Sequence, residues 1–292
     1  MTGAAALYDV PGPGTRRRHL LYAALSTAAL LGLVAWILYL LFATNQFTAT
    51  KWTPFEYKGV QELLLRGLGN TLKAFAMAAV LSLALGGVLA VGRLSDHRPV
   101  RWLATLLVEF FRAMPVLVMI FFIFVALKVQ PLPALVAGLT LYNGSVLAEV
   151  FRSGVNSVDR GQREAALALG MRKTQVMTYV LAPQAVRAML PAIISQLVVA
   201  LKDTSLGYLI TYEEFLHAGK LIASNLDYDL PFIPVVMVIA PIYIGMCMLL
   251  SWFAGWVSRR EQRSPKTEAV VVATAGPGAL LPGGEPPTAP RA

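Results

Sequence analysis

A chain of 292 residues in which 57% are hydrophobic and only 14% are charged, with a mean hydropathy of +0.62, is too apolar for a soluble globular domain and reads as a polytopic membrane protein. The formal net charge of +9 does not point to nucleic acid, because the basic residues are spread between apolar segments and form no single stripe with aromatic partners. The one cysteine, Cys247, lies inside an apolar run; this excludes an internal disulfide, a Cys-rich zinc site and a redox pair, and leaves a packing residue.

In chain order, residues 1–19 form a short tail that ends in the basic run Arg16 to Arg18. Residues 20–42 follow as 23 residues without a charge, enough to cross a hydrocarbon core of about 30 Å at about 1.5 Å per residue. A secretory signal peptide is the competing reading, but this run is too long and no A-x-A-like site follows it. Residues 43–67 form an extracytoplasmic loop. Further spans are predicted at Leu68 to Gly92, Trp102 to Leu127, Leu132 to Ala148, Gln184 to Leu201 and Pro231 to Val257. The predicted fold is all-α: one extra N-terminal transmembrane helix and a five-helix core over residues 68–258. The inside segments of this arrangement carry 17 Lys and Arg against 5 in the outside loops, so the positive-inside rule places both termini in the cytoplasm. Ten Gly and Pro among the 29 residues from Ser264 to Ala292 predict a disordered cytoplasmic tail over 259–292.

The longest inside loop, "SVDRGQREAALALGMRKTQVMTYVLAPQA", reads as two short helices over about 159–181. Asp159 is placed to cap the first, with Gln162 completing a capping box. Ala165, Ala168 and Leu169 then share one face, a small-residue surface that lets another protein come close. Gly170 permits a turn, Thr174 is placed to cap the second helix, and Pro183 marks the return to the membrane. An amphipathic helix lying on the lipid surface fits the same residues, and physics alone leaves both readings open.

Spacing adds a resemblance. Glu164, Ala165 and Ala166, then three residues, Gly170, nine residues, Val180, one residue, Ala182 and Pro183 resemble the E-A-A loop of the permeases of bacterial ATP-binding-cassette importers, with Val180 for the usual Ile and Ala182 for Leu. "GNTL" (Gly69 to Leu72), "FFRAMPVLV" (Phe110 to Val118), "AEVFRSGVNSVDRGQREAA" (Ala148 to Ala166) and "LKDTSL" (Leu201 to Leu206) look like the polar amino-acid permeases, although Ala113 and Met114 depart from that family's F-R-G-[ST]-P. The extra first span and the opening "ALYDVPGPGTRRRH" are similar to glutamate permeases. The resemblance implies an inner-membrane subunit whose loop, through Glu164, Ala165, Ala166, Gly170 and Pro183, is the coupling helix of a separate cytoplasmic ATPase dimer. ATP and Mg would be bound there and no cofactor by this chain. It further implies a second permease, identical or sibling, and an extracytoplasmic amino-acid-binding protein that meets the loops at Lys51 to Arg66 and Ser205 to Asp229.

No G-x-x-x-x-G-K-[ST] phosphate loop occurs, and "AGKL" at Ala218 lacks both its leading Gly and its Ser or Thr, so the chain is not expected to hydrolyse ATP. A self-sufficient secondary transporter is the alternative; it would usually show inverted repeats, and none is evident. His19, His97 and His217 fall in separate segments and make no ligand cluster. Charge inside a span is costly and marks a path or a partner, which selects Lys73, Glu109, Arg112, Lys202 and Asp203 as substrate-path candidates, with Glu109 and Arg112 three apart on one helical face. The basic excess favours an anionic substrate group, while snorkelling also accounts for Lys73 and Lys202. Asn143 joins the path candidates, and Asn143 and Ser145 fit helix packing equally well. Glu213 and Glu214 read as solvated loop charges.

Overall fold

The computed structural model describes residues 13–262, so the tail readings for residues 1–12 and 263–292 lie outside the described residues. Ten α-helices are described: α1 Pro13–Ala43, α2 Lys58–Leu94, α3 Arg98–Ala113, α4 Val116–Phe121, α5 Pro131–Asn156, α6 Arg160–Ala168, α7 Lys173–Gln175, α8 Ala182–Asp203, α9 Phe215–Ala223 and α10 Phe232–Gln262. Five helical stretches are long and apolar enough to cross a membrane, and a sixth crossing arises if the bent pair α3 and α4 counts as one.

That bent pair departs from the straight third span read from Trp102 to Leu127. Its two parts meet at 100°. Pro115 lacks an N–H and pushes the preceding residue out of the helical region, and Met114 is extended (φ −82°, ψ 134°). The eleven residues from Val116 to Ala126, ending in a π-turn at Phe122–Ala126, would reach only about 17 Å as a helix, too short to cross alone. α3 supplies the rest as a one-sided helix, with Ala104 and Val108 buried and Trp102, Leu103, Leu106 and Phe110 exposed.

The core forms where α2 and α5 cross. A Cβ on Gly86 would lie 2.9 Å from the Leu147 Cβ and 3.0 Å from the Gly144 carbonyl oxygen, so the two backbones approach only because glycine stands there. Ala74, Ala78, Leu135 and Leu139 fill the core between these helices, with Met119 and Ile120 from α4 packed onto it. α1 stands apart, with none of its apolar window buried inside the fold, as suits a helix whose solvent is lipid.

Two boundaries shift from the sequence reading. α2 starts at Lys58, so the preceding loop is shorter than 43–67, because Val60, Leu63, Leu64 and Leu68 pack against Phe215 and Ile222 of α9. α10 continues through Gln262, past the predicted tail boundary at residue 259. The loop read at Ser205 to Asp229 is itself mostly helical, and α9 docks between α2 and α10.

Candidate functional site

The α6 loop is built from its ends inward. Asp159 Oδ1 accepts the Gly161 N–H at 2.7 Å and caps α6; this bond stands in place of the reciprocal exchange expected with Gln162. Gly170 ends the helix at φ +78°, in the left-handed region, where a side chain would strain the turn. The cap of the second helix lies two residues before the predicted Thr174. Arg172 is its N-cap, and the Gln175 side chain reaches back to accept the Arg172 N–H at 2.8 Å. A π-turn at Val176–Leu181 leads into α8, with Pro183 in the first turn where its missing N–H costs little.

Burial divides the E-A-A residues. Ala166 is buried against Val176 and Leu181, with Val155, Val158 and Met171 around them, so it holds the loop together from inside. Glu164, Ala165, Ala168, Leu169 and Gly170 are exposed, Leu169 at 83%. Leu169 thus stands exposed beside Ala165 and Ala168 on a turn that the buried residues support from beneath. Lys173 Nζ contacts Asp96 Oδ2 at 2.7 Å and ties this loop to the α2–α3 connection.

The path candidates do not gather at one point. Glu109 and Arg112 pair at 3.8 Å near the end of α3, beside Arg93 and at the α6 end of the bundle. Asn143 is fully buried at the α5–α8 contact: its Nδ2 donates to the Leu139 carbonyl at 2.8 Å and its Oδ1 accepts from Gln196 Nε2 at 2.7 Å. Ser145 closes on the Leu141 carbonyl within α5, which is a packing role. Lys73 is exposed on α2. Lys202 lines a cavity of about 1090 Å³ between α8, α9 and α10, together with Ser205, Tyr208, Lys220 and Tyr243, and Asp203 follows it at the end of α8.

The reading of Glu214 as a solvated charge is overturned, since the residue is 0% exposed. Its carboxylate caps α9 by accepting the Leu216 and His217 N–H groups at 2.9 and 2.7 Å. It also accepts the Tyr243 hydroxyl at 3.0 Å. Burial pushes its pKa up to about 7 against those three stabilising bonds. Beside it, Thr71 of the "GNTL" motif accepts the Phe215 N–H at 3.0 Å, and Asn70 donates to the Glu213 carbonyl at 2.8 Å. That motif therefore clamps α2 to α9. No group of three or more His, Cys, Asp and Glu side chains suited to a metal occurs among the described residues. Sequence reasoning missed Gln196 as the partner of Asn143 and Arg93 as the partner of Glu109, because each pairing crosses between helices. The only available signal was a polar side chain at the edge or within an apolar run.

Residues 82–263 match the family described as binding-protein-dependent transport system inner membrane component. The glutamate transport system permease protein GluD of Corynebacterium glutamicum is 42% identical over 231 residues, covering 76% of this chain and 83% of that protein. The glutamate/aspartate import permease protein GltK of Escherichia coli O157:H7 is 33% identical, covering 68% of this chain and 92% of that protein. Among solved structures, the crystal structure of an amino acid ABC transporter with histidines superposes with a TM-score of 0.64 at 29% identity, covering 68% of this chain and 94% of that one.

Proposed function

The chain belongs to the family of inner membrane components of binding-protein-dependent transport systems, and from that premise we propose that it is the permease of an ATP-driven importer of an acidic amino acid, glutamate foremost. The observation that carries the coupling half is the α6 loop, whose underside is locked by Ala166, Val176 and Leu181 while Ala165, Ala168 and Leu169 face outward. Such a knob suits a cleft in a separate ATPase pair, which binds ATP and Mg and performs the hydrolysis. Glu164, exposed beside that face, offers an ion-pairing group at the contact.

The α6 end of the bundle is then cytoplasmic, as are both termini, in keeping with the basic-residue asymmetry. At the opposite end, residues 51–66 and 205–229 receive substrate from an extracytoplasmic binding protein. A second permease, a copy or a sibling, completes the path, since six helices scarcely enclose a gated one.

The cavity between α8, α9 and α10 has the make-up of a small-ligand site: apolar walls with a few convergent polar groups. Lys202 supplies a cation for a carboxylate, while Asp203, next along α8, lies outside the lining. Lys73 adds a charge on the exposed face of α2, where the second permease would lie, and Asn143 orients Gln196. Glu109 and Arg112 lie outside this cavity, at the α6 end of the bundle.

Reconstitution with the ATPase and the binding protein in liposomes, followed by uptake of labelled glutamate, glutamine, arginine and histidine, tests both halves. ATPase-dependent glutamate uptake is the expected result. Accumulation by this chain alone on a proton or sodium gradient would overturn the coupling half, and ATP-dependent uptake of arginine or histidine without glutamate would overturn the substrate half.

A further inference from the structure

Two of the quoted motifs leave charged side chains that the transport path does not use. Glu109 and Arg112 come from the "FFRAMP" end of α3, and Glu149 and Arg152 come from "AEVFR" on α5. The fold brings both pairs to Arg93, near the end of α2. The Arg93 side chain is 9% exposed; Nη1 lies 2.7 Å from Glu149 Oε2 and Nη2 lies 3.5 Å from Glu109 Oε1. Arg152 Nε donates to Glu149 at 3.2 Å, and Arg112 stands 3.8 Å from Glu109. The order is Arg152, Glu149, Arg93, Glu109, Arg112: five alternating charges across three helices.

The ends of this chain of charges matter. Arg152 sits one turn before α5 ends at Asn156, and α6 begins at Arg160. Arg112 sits next to Ala113, where the third crossing turns by 100°. We infer that Arg93 is a positioning residue for coupling, which transmits displacement of the α6 loop, by way of the end of α5, to the bend between α3 and α4.

Magnitudes favour Arg93 as the keystone. Glu109 and Arg112 are 58% and 37% exposed, and an ion pair so placed holds little on its own. A nearly buried guanidinium is different, since without Glu149 its charge would keep only the more distant and exposed Glu109 as a partner. The ends of α2, α3 and α5 therefore move together or exchange partners in a discrete step, as transmission between sites requires. Arg93 Nε and Nη1 are both buried without an aligned hydrogen bond, Nη1 despite its 2.7 Å approach to Glu149, so the guanidinium keeps donors for a second arrangement.

The inference rests on the reading of this chain as an ATP-coupled permease, and the test separates the two. In the reconstituted complex, uptake per ATP hydrolysed is measured for wild type, Arg93→Met, Arg93→Lys, Glu109→Gln and the double variant Arg93→Met with Glu109→Gln. Arg93→Met is expected to keep ATP hydrolysis while uptake per ATP falls about tenfold, within the usual span of coupling between linked sites. Arg93→Lys restores part of it, and the double variant falls no further than Arg93→Met, the non-additivity of residues in one network. If uptake and hydrolysis fall in parallel at an unchanged ratio, Arg93 only holds the fold and the inference is overturned. Should Arg93→Met fail to assemble, the exposed Glu109→Gln carries the test, and a wild-type ratio there overturns it equally. Wild-type uptake that ignores the ATPase would instead remove the premise.

Discussion

The Tyr243 hydroxyl donates to Glu214 Oε2 at 3.0 Å, joining α10 to the cap of α9 at a carboxylate that has no exposure to solvent. The same carboxylate takes two backbone N–H groups of α9, and its neighbour Phe215 donates to Thr71 on α2, so three helices meet at one titratable group. The "GNTL" and "TYEEF" segments, whose paired residues Thr71 and Phe215 are 144 apart in the chain, are thereby parts of one joint.

Stability of the protein in detergent is expected to fall as pH rises through this joint's titration. A carboxyl with a pKa of about 7 in the fold and 4.5 in the unfolded chain binds more protons folded than unfolded between those values. Its contribution is therefore greatest below about pH 4.5, declines between the two and levels off above about 7, by on the order of 3 kcal/mol in all. Thermal unfolding from pH 5 to 8 should show the decline in wild type and a flatter profile in Glu214→Gln. A wild-type curve that is level or rises across that window would count against the assignment.

The E-A-A residues should separate by burial. Ala166→Trp forces a ring into the contact with Val176 and Leu181 and is expected to cost about 1–3 kcal/mol of local stability, seen as early proteolysis of the loop. Ala168→Trp lies on the exposed face and should leave stability within about 0.5 kcal/mol while ATPase-dependent uptake is lost. Normal uptake by Ala168→Trp would mean that this face meets lipid and not a protein cleft.

At Gly170 the backbone, not the space, is limiting. Nothing lies within 4 Å of a Cβ placed there, yet φ is +78°. Gly170→Ala should cost about 1 kcal/mol through strain alone, and Gly170→Asn less, because asparagine tolerates the left-handed region. Limited proteolysis of the α6 loop ranks the two; equal rates would show that the turn relaxes.

Much of this was legible from periodicity and spacing. The spans, the two helices of the inside loop, the Asp159 cap and the Gly170 turn are local features, and local features leave a period or a punctuating residue in the chain. The 100° bend at Pro115 was legible too in principle, yet the unbroken apolar run hid it, since hydropathy averages over a kink. What periodicity does not carry is which polar side chain faces which helix. Glu214 looked like any loop acid because its burial depends on α2 and α10, and Ala166 was grouped with Glu164 and Ala165 by the motif although its burial depends on Val176 and Leu181.

Lys202 decides the substrate reading. Its side chain lines the cavity between α8, α9 and α10, where the surroundings are largely apolar and Ser205, Tyr208 and Lys220 supply the nearby polar groups. In such a setting a cation facing a carboxylate makes a charge-assisted bond stronger than the one it would make to a neutral amide. Glutamate and glutamine differ at that one group. Lys202→Met keeps the apolar stem and so the cavity wall, while removing the charge. The expected result is a rise of about tenfold in the KM for glutamate uptake, equivalent to about 1.4 kcal/mol, with the KM for glutamine changed far less and ATP hydrolysis retained. Lys202→Arg, which keeps the cation, should stay close to wild type. The opposing view is that Lys202 merely snorkels its ammonium to the membrane interface from the end of α8, in which case the methionine variant would insert or fold less well but discriminate as before. An unchanged ratio of the two KM values in properly assembled Lys202→Met complexes would establish that view and detach the cavity from substrate choice.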